Sequence, residues 1–244
     1  AINNYNNIGF VPTMGGIHSG HASLIKSSQK KKLKTIVSVF VNPAQFAPNE
    51  DFDQYPRTIE QDVYLLDQLK YVDYVFTPRR DCFYPQDTTS MTQIHIPLLS
   101  TYYCGDSRPH FFDAVCSIVL RLFNCLFPTA AYFGEKDFQQ LKLIKELVIK
   151  YLLPTNVIGL PSVRSNNGMS LSSRYENFSL EEKIIFNEIA ILINQYVDLL
   201  KSNHNIDCLQ NFTQKLMQYN NVKLDYAEIR DEENLLISNK NITS

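Results

Sequence analysis

The sequence predicts an α/β fold built on a doubly wound parallel sheet, with a smaller α+β unit after it. Short apolar runs alternate with stretches in which apolar residues recur at helical intervals, and such strand–helix–strand repetition builds a parallel sheet. The expected strands are IGFVP (8–12), IVSVFV (36–41), YVFTP (74–78), AAYFG (130–134) and VIGLP (157–161). Ligands of such sheets bind beyond the carboxyl ends of the strands.

Helix signals fall between these runs and after them. Thr58-x-x-Gln61 and Ser179-x-x-Glu182 have the form of capping boxes that open helices. One predicted helix carries an apolar stripe formed by Leu141, Ile144, Val148 and Leu152.

The pattern changes after about residue 162. From there the sequence predicts a long helix over 180–201, a second helix around 207–219 and a strand over 223–230. We therefore expect a sheet domain over residues 1–162 and a smaller C-terminal domain over residues 163–244, incomplete at its end.

The composition limits the classes of partner. The 244 residues are 44% hydrophobic with a formal net charge of −2, which supports a packed core and excludes disordered and low-complexity classes. Because no global basic field is present, we expect no nucleic-acid partner and no membrane surface. The most apolar stretch, 117–127, is too short to span a bilayer and contains Arg121.

The cysteines indicate a reducing compartment. They are odd in number and scattered without a CxxC pair, at Cys82, Cys104, Cys116, Cys125 and Cys208. This pattern favours reduced thiols over zinc or a disulfide framework. With no visible signal peptide, we expect a cytoplasmic protein.

The segment VPTMGGIHSGH (11–21) carries the first group of candidate residues. A predicted strand ends there, two glycines turn the chain, and His18-x-Gly-His21 begins a helix. Helix starts favour a bound phosphate, and imidazoles three residues apart lie on one face where both can donate to it. Gly20 permits close approach of backbone or ligand. One core and one surface histidine, or a metal-binding pair, are the alternatives.

Two further segments place polar groups after a predicted strand. In YFGEKDFQQL (132–141), Lys136 is a mobile charge for phosphate, Asp137 can accept from a ribose hydroxyl, and Gln140 follows one turn later. In GMSLSSRY (168–175), serines and Arg174 can close over a polyphosphate. A solvated helix start and an ordinary linker are the alternatives.

Four other polar residues are weaker candidates. Asn42 and Gln45 follow a strand and either reach a small polar substrate or form an ordinary turn. Asp62 is either an exposed helix carboxylate or a magnesium contact. Arg108 either meets a carboxylate or phosphate, or lies on the surface.

Taken in order, these segments resemble the pantoate–β-alanine ligases (pantothenate synthetases), ATP-dependent members of the nucleotidyltransferase superfamily with an HxGH motif. The matching segments run from residue 9 to about residue 231 and are GFVPTMGGIHSGHASLI, TIVSVFVNPAQF, NEDFDQYPRTIEQD, FTPRRDCFYP, GDSRP, AAYFGEKDFQQL, PSVRSNNGMSLSSR and LDYAEIRD. The resemblance implies a Rossmann-like ATP- and pantoate-binding domain. It also implies two steps, in which pantoate and ATP give pantoyl adenylate and pyrophosphate, and β-alanine then displaces AMP.

The resemblance assigns roles by position. It implies that His18, His21 and Lys136 are catalytic, that Asp62 contacts Mg²⁺, and that the enzyme is a homodimer. It implies an ATP site formed by Met14, Gly15, His18, His21, Gly134, Lys136, Asp137, Val163, Leu171, Ser172, Ser173 and Arg174. The pantoate and β-alanine site would contain Asn42, Gln45, Arg108 and Gln140.

Several positions depart from the family pattern. His110, Phe111 and Ala114 stand where Gly, His and Gly are usual, and further substitutions are Gly16 for Ala, Leu171 for Met and Tyr175 for Asn. The groups assigned to phosphate and pantoate are retained, so we expect activity. A catalytically weakened ATP-binding paralogue and a plain nucleotidyltransferase are the alternatives.

Overall fold

The strands of the computed structural model are β1 (Ile8–Thr13), β2 (Lys34–Val39), β3 (Tyr74–Phe76), β4 (Ala130–Gly134) and β5 (Asn156–Leu160). They form one parallel sheet in the order β3-β2-β1-β4-β5. The structure describes residues 7–48, 50–84, 93–203, 208–219, 222–233 and 235–237. Each strand matches a predicted run, with ends displaced by at most two residues, so the predicted doubly wound sheet is confirmed.

Helices connect the strands and cover both faces of the sheet. In the part of the chain up to the last strand they are α1 (Ser19–Lys30), α2 (Ile59–Leu69), α3 (Arg80–Phe83), α4 (Cys104–Ser107), α5 (Phe111–Leu126) and α6 (Phe138–Lys150). Two further helices, α7 (Leu180–Asn203) and α8 (Cys208–Leu216), follow the last strand. The chain steps outward from β1 to β3 and then returns to β4 on the other side of β1. The loops after β1 and β4 therefore diverge at a topological switch point, where doubly wound sheets bind ligands.

Alternating side chains of β1 build the two apolar layers. Phe10 packs edge-on against Phe123 of α5, with ring centroids 6.2 Å apart. Val11 belongs to the opposite layer, with Ile25 of α1 and Leu66 of α2. Burying side chains of this size stabilises the fold by about 1.5–3 kcal/mol each. This two-sided burial fixes the register of β1 and hence the position of the turn that follows it.

The chain divides into two compact units, of which the first contains residues 1–163 and 171–174. The division predicted from the sequence is a single cut after residue 162, so it does not include the four residues 171–174 that rejoin the first unit. The second unit contains residues 164–170 and 175–244. Among the described residues of both units, none of the helices combines the length and the apolar character that a membrane span requires.

The second unit packs around α7 and α8. Tyr196 and Phe212 stack with ring centroids 4.6 Å apart, and Leu216 completes the buried group. The predicted strand over 223–230 is wrong for the residues described there, since the chain forms only an isolated antiparallel bridge between Arg230 and Ile237. Among the described residues, no neighbouring strand lies along that segment to supply ladder hydrogen bonds.

The two predicted capping boxes behave differently. Ser179 Oγ accepts the Glu182 N–H at 3.2 Å, and Glu182 Oε2 accepts the Ser179 N–H at 2.7 Å, so that box is confirmed. Thr58 precedes α2 but makes no side-chain cap bond. Its hydroxyl lies 3.4 Å from Asp62 Oδ2 instead, because the Asp62 carboxylate competes for it.

The predicted apolar stripe of α6 is confirmed at Leu141 and Ile144, which are buried, but not at its last position. Leu152 lies beyond the end of α6 and is 90% exposed. The buried face of α6 continues through Leu143 and Leu147 instead.

Candidate active site

The first segment of the site follows β1, where two glycines turn the chain into α1. Gly15 has φ +91° and Gly16 has φ +62°, a left-handed geometry that side chains disfavour. His18 is the N-cap of α1, and its Nδ1 accepts the backbone N–H of Gly20 at 3.1 Å. The predicted helix start at the His-x-Gly-His motif is therefore confirmed.

The two imidazoles cap the helix reciprocally. His21 Nδ1 accepts the backbone N–H of His18 at 3.3 Å, and the two rings stack with centroids 4.1 Å apart. A neutral imidazole that accepts at Nδ1 carries its proton on Nε2, so each ring keeps one Nε2–H donor for a ligand. A Cβ on Gly20 would lie 2.7 Å from Cε1 of His18, which explains the glycine between the histidines.

Burial and a neighbouring cation keep both imidazoles neutral. Burial lowers the pKa of His21 to about 3, and electrostatic repulsion by Lys136 and by any proton added to His18 acts in the same direction. The pKa of His18 is also lowered, by burial first and by Lys136 second. At neutral pH the pair thus offers hydrogen-bond donors without net charge, and Lys136 supplies the positive charge next to them.

Lys136 reaches this end of the sheet from β4. It lies in the 3₁₀ turn Glu135–Asp137 directly after Gly134. Its ammonium takes part in none of the ion pairs found among the described residues. Asp137 is the exposed N-cap of α6 and makes no side-chain bond to that helix. Both charged groups are therefore available to a ligand at the switch point.

The third segment, Leu171–Arg174, packs on the glycine turn. Its first residue donates its backbone N–H to the Val163 carbonyl at 3.2 Å. Ser173 Oγ donates to the Gly16 carbonyl at 2.9 Å. The loop and the turn after β1 therefore lie side by side in the first unit, although more than 150 residues separate them in sequence.

Arg174 is paired with a carboxylate in this structure. Its Nε and Nη2 donate to Asp51 Oδ2 and Oδ1 at 2.7 and 3.0 Å. Its guanidinium carbon lies 5.1 Å from the ring centroid of Tyr55, and Ser172 Oγ accepts its backbone N–H at 3.3 Å. The hydrogen bonds from Arg174 lower the pKa of Asp51, so the pair is ionised at neutral pH.

Arg108 makes a second pair of the same kind. Its Nε and Nη2 donate to Glu50 at 2.6 Å each, and Nη2 also donates to the Gln45 carbonyl at 3.0 Å. Its guanidinium carbon lies 3.7 Å from the ring centroid of Phe111. Glu50 and Asp51 are adjacent, so one loop holds both arginines. Sequence reasoning missed this role, although an acidic pair in a loop after a strand was the available signal.

Asn42 differs from the substrate-binding role expected of it. It is only 1% exposed, and its Nδ2 donates to Gln45 Oε1 at 3.0 Å and to the Ala114 carbonyl at 3.3 Å. Its Oδ1 accepts the Tyr84 hydroxyl. The Asn42 amide therefore makes its hydrogen bonds inside the protein, where it orients the half-buried Gln45.

Asp62 is not the exposed helix carboxylate that one sequence interpretation allowed. It is 1% exposed, and its oxygens accept the backbone N–H groups of Gly16 at 3.1 Å and Ile17 at 2.8 Å. An exposed carboxylate is excluded, and both oxygens are already engaged by backbone donors. Within the described residues, no three His, Cys, Asp or Glu side chains converge as a metal site would require.

Two neighbouring glutamines of α6 have different surroundings. Gln139 is buried, and it donates to the Leu99 and Tyr102 carbonyls at 2.8 and 2.7 Å. Gln140 is half-buried in the first turn of the same helix. Sequence reasoning selected Gln140 and missed the structural role of Gln139, because the carbonyls that it binds lie in a distant loop.

A five-stranded parallel sheet with paired neutral imidazoles and a lysine at its switch point defines an α/β enzyme of the Rossmann-like type that handles nucleotides. A family model described as pantoate-beta-alanine ligase matches residues 1–243. The chain belongs to this family, and it is an enzyme of the ligase class. The fold and the family predicted from the sequence are thereby confirmed.

Individual relatives agree with the family. The pantothenate synthetase of Thermosipho africanus is 39% identical over 229 residues, which cover 93% of this chain and 81% of the relative. The one from Fervidobacterium nodosum is 39% identical over 236 residues, covering 96% and 83%.

Solved structures are similar over most of the chain. Pantothenate synthetase from Thermus thermophilus matches with a TM-score of 0.90 and 33% identity, covering 97% of this chain and 86% of that one. The pantoate-beta-alanine ligase of Francisella tularensis, complexed with beta-gamma ATP and beta-alanine, matches with a TM-score of 0.78 and 35% identity, covering 88% and 80%.

Proposed function

We propose that this chain joins pantoate to β-alanine in two steps at the carboxyl edge of its sheet. A pantoate carboxylate oxygen first attacks the α-phosphorus of ATP, and the bond to the β-phosphate breaks to release pyrophosphate. The β-alanine nitrogen then attacks the acyl carbon of pantoyl adenylate and loses a proton, and the acyl–oxygen bond breaks to release AMP. The observation that carries this proposal is the grouping of two Nε2–H donors and Lys136 at the switch point.

The histidines and Lys136 stabilise the charge that develops on the phosphates. Attack at phosphorus needs positioning and electrostatic stabilisation more than covalent chemistry. His18 and His21 donate from Nε2, because their Nδ1 atoms are held by backbone N–H groups. Lys136 adds a full positive charge, which a departing pyrophosphate requires.

The loop Leu171–Arg174 completes the phosphate site. Ser172 and Ser173 supply hydroxyls beside the glycine turn, and Arg174 supplies charge. The Asp51 carboxylate occupies Arg174 in the ligand-free chain, so phosphate oxygens either take its place or share the guanidinium. The corresponding exchange at Arg108, between Glu50 and a substrate carboxylate, prepares the acid for attack.

Two neutral amides and one carboxylate bind the remaining groups of pantoate and of the nucleotide. Gln45, held by Asn42, and Gln140 bind the hydroxyls and the carboxylate of pantoate. Such amides suit a small hydroxy acid, whereas a phosphorylated acceptor would favour more lysine or arginine. Asp137 accepts from the ribose, and Met14, Gly15, Gly134, Val163 and Leu171 border the nucleotide.

We expect ATP to carry Mg²⁺ into the site on its phosphates. Magnesium keeps several waters and takes phosphate oxygens as ligands in such complexes, so the ion neutralises phosphate charge without a dedicated cage of side chains. The reaction takes place in the cytoplasm, in keeping with five cysteines that form no disulfide with one another. The active form is a homodimer, which light scattering of the purified protein tests.

Two product assays test the proposed function. Pyrophosphate release from ATP should require pantoate, and AMP should form only after β-alanine is added. Nucleotide binding with neither product would identify a weakened paralogue. Transfer of the nucleotide to a phosphorylated acceptor would identify a plain nucleotidyltransferase.

A lysine variant tests the role of the switch point. Lys136→Ala should lower kcat by roughly 10²–10³, the usual loss for a preorganised charge donor. Lys145→Ala removes an exposed lysine of α6 and should leave kcat unchanged. Near-normal turnover of the Lys136 variant would contradict its role.

A further inference from the structure

The buried carboxylate of Asp62 contacts the turn that carries His18. Its Oδ2 lies 3.1 Å from the Gly16 nitrogen and its Oδ1 lies 2.8 Å from the Ile17 nitrogen. Thr58 Oγ1 contributes a third donor at 3.4 Å from Oδ2. The carboxylate thus bridges two consecutive peptide groups from a helix more than forty residues away in sequence.

Backbone geometry gives this bridge its importance. Two successive residues of the turn have positive φ, at Gly15 and Gly16, and glycines in that region hold no conformation by themselves. A Cβ on Gly15 would lie 2.9 Å from Oδ2 of Asp62, so the carboxylate is pressed against the turn. Charge-assisted hydrogen bonds to an ionised acceptor are about twice as strong as neutral ones.

The second backbone N–H group that Asp62 binds belongs to Ile17, the residue immediately before His18. Ile17, whose N–H it fixes, is bonded directly to the N-cap residue, and His18 places its Nδ1 on Gly20 only if its own backbone is correctly oriented. His21 depends on the same geometry, because it accepts the His18 N–H. The direction of both Nε2–H groups is therefore set by the turn that Asp62 holds.

We propose that Asp62 is a positioning residue, which fixes the glycine turn and thereby aims the imidazoles of His18 and His21, and that it is not a magnesium ligand. Both oxygens already accept backbone hydrogen bonds in a site closed to solvent. A metal ion entering this buried position would compete with these donors for the carboxylate lone pairs, and each N–H group that it displaced would be left unsatisfied at a cost of about 1–3 kcal/mol. The consequence for turnover rests on the function proposed above, whereas the consequence for the imidazoles does not.

Asp62→Asn is the informative variant, because it keeps the size and removes one acceptor. The asparagine NH₂ would face one of the two backbone N–H groups, so the bridge opens on that side. Glu60→Gln is the matched control, since Glu60 is an exposed carboxylate of the same helix. Thr58→Val is a milder second variant, which removes only the third donor and keeps the charge.

The first measurement needs neither metal nor substrate. Histidine imidazole NMR spectra of the ligand-free protein should show shifted His18 and His21 signals in Asp62→Asn. They should show smaller shifts of the same sign in Thr58→Val and no shifts in Glu60→Gln. Unchanged imidazole signals in both folded variants would overturn the proposal, and if Asp62→Asn does not fold, Thr58→Val alone decides it.

The second measurement separates positioning from metal binding. In Asp62→Asn we expect kcat to fall by about 10–10², as for a small misplacement of catalytic groups, with the Mg²⁺ concentration for half-maximal rate unchanged. A Mg²⁺ requirement raised tenfold or more, with kcat restored at saturation, would identify Asp62 as a ligand and overturn the proposal. If the wild-type chain releases no pyrophosphate with pantoate, the function fails while the NMR result still tests the turn.

Discussion

The tautomers of two histidines decide how charge is arranged in this site. Because Nδ1 of each ring accepts a backbone N–H, a second ring proton can be added only by breaking a cap of α1. Burial disfavours the imidazolium as well. The rings are therefore donors that stay neutral through the physiological pH range, and in the proposed site the positive charge comes from lysine and arginine side chains such as Lys136 and Arg174.

His21→Asn tests this neutrality through the pH dependence of stability. The folded pKa of His21 is about 3, and an unfolded histidine titrates near pH ~6.5. Below that pH the unfolded chain binds the proton first, so this residue costs the wild type stability as the pH falls toward 3. Between about pH 7 and pH 5 the wild type should lose about 1–2 kcal/mol more than the variant.

Urea unfolding at several pH values measures that difference. Asparagine retains an acceptor for the His18 N–H, so the comparison isolates the titration of the ring, and the stability of the wild type should fall relative to that of the variant as the pH drops. A stability difference that stays constant from neutral to acid pH would contradict a depressed His21 pKa.

A variant of Asp51 tests whether the ion pair with Arg174 competes with phosphate binding. Asp51→Asn removes the charge that pairs with Arg174, so the guanidinium no longer has to exchange one anion for another. We expect KM for ATP to fall several-fold, with kcat changed less, measured at fixed ionic strength because such pairs are screened by salt.

Asp53→Asn provides the control for that measurement. Asp53 is an exposed carboxylate of the same loop, and it contacts Arg57 only through its backbone carbonyl. A KM for ATP that rises in Asp51→Asn alone would mean that Asp51 holds Arg174 in position for the phosphates.

At the scale of elements, the first turn of α1 affects both the stability of that helix and the position of the His18 ring. Gly20→Ala replaces a poor helix former by the best one, which alone would stabilise α1 by up to about 1 kcal/mol. The added Cβ would lie 2.7 and 2.8 Å from Cε1 and Nδ1 of His18 and would push that ring off its cap. We expect thermal stability near that of the wild type and kcat lower by about 10².

Ser19→Ala controls for the composition of the same turn, because Ser19 is exposed and should tolerate the change. Normal turnover of Gly20→Ala at normal stability would show that the His18 ring position is not critical.

Sequence patterns identified the strands and helix starts because these depend on local order. Periodicity gave the ends of β1 and β4, and those ends lead directly to His18 and Lys136. The partners of Asp62 and Asn42 could not be predicted, since Gly16 and Ala114 lie far along the chain. A carboxylate in a helical pattern is exposed by default, and only the tertiary fold reveals the N–H groups that bury it.

Two of the predictions failed, one because a partner was absent among the described residues and one because a nearby side chain competed. The segment 223–230 has strand-like composition, but strand formation requires a neighbouring strand, and the described residues offer only the Arg230–Ile237 bridge. Thr58 has the residues of a capping box, but its hydroxyl is drawn to Asp62. Ser179 and Glu182 needed only each other, and their box formed.

At the scale of the whole molecule, the net charge does not account for phosphate binding, so local charges must. A formal charge of −2 gives no general attraction for a triphosphate, so affinity must come from a few cations held in place. In the proposed site these cations are Lys136, Arg108 and Arg174, and the two arginines are paired with Glu50 and Asp51 in this structure. If the proposed site is correct, these side chains provide the attraction for phosphate that the net charge does not.

The core that supports this edge can be tested through Cys116 of α5. It is 0% exposed among residues of both α5 and α6, and burial raises its pKa to about 12, so its thiol should react only when the core opens. Cys82 and Cys125 are exposed and should be labelled at once by a thiol reagent, with mass spectrometry identifying each site.

In the Cys125→Ser variant, the rapid labelling that remains at an exposed cysteine is that of Cys82. Measuring the labelling rate of Cys116 at increasing urea concentrations then distinguishes local from global opening of the core. If the sheet and its helices unfold as one cooperative unit, the labelling rate of Cys116 should rise with urea as steeply as the global unfolding equilibrium. A rate close to that of Cys82 in the absence of urea would mean that α5 detaches on its own. In that case the register of β1, and with it the position of the glycine turn, would depend on the α1 layer alone.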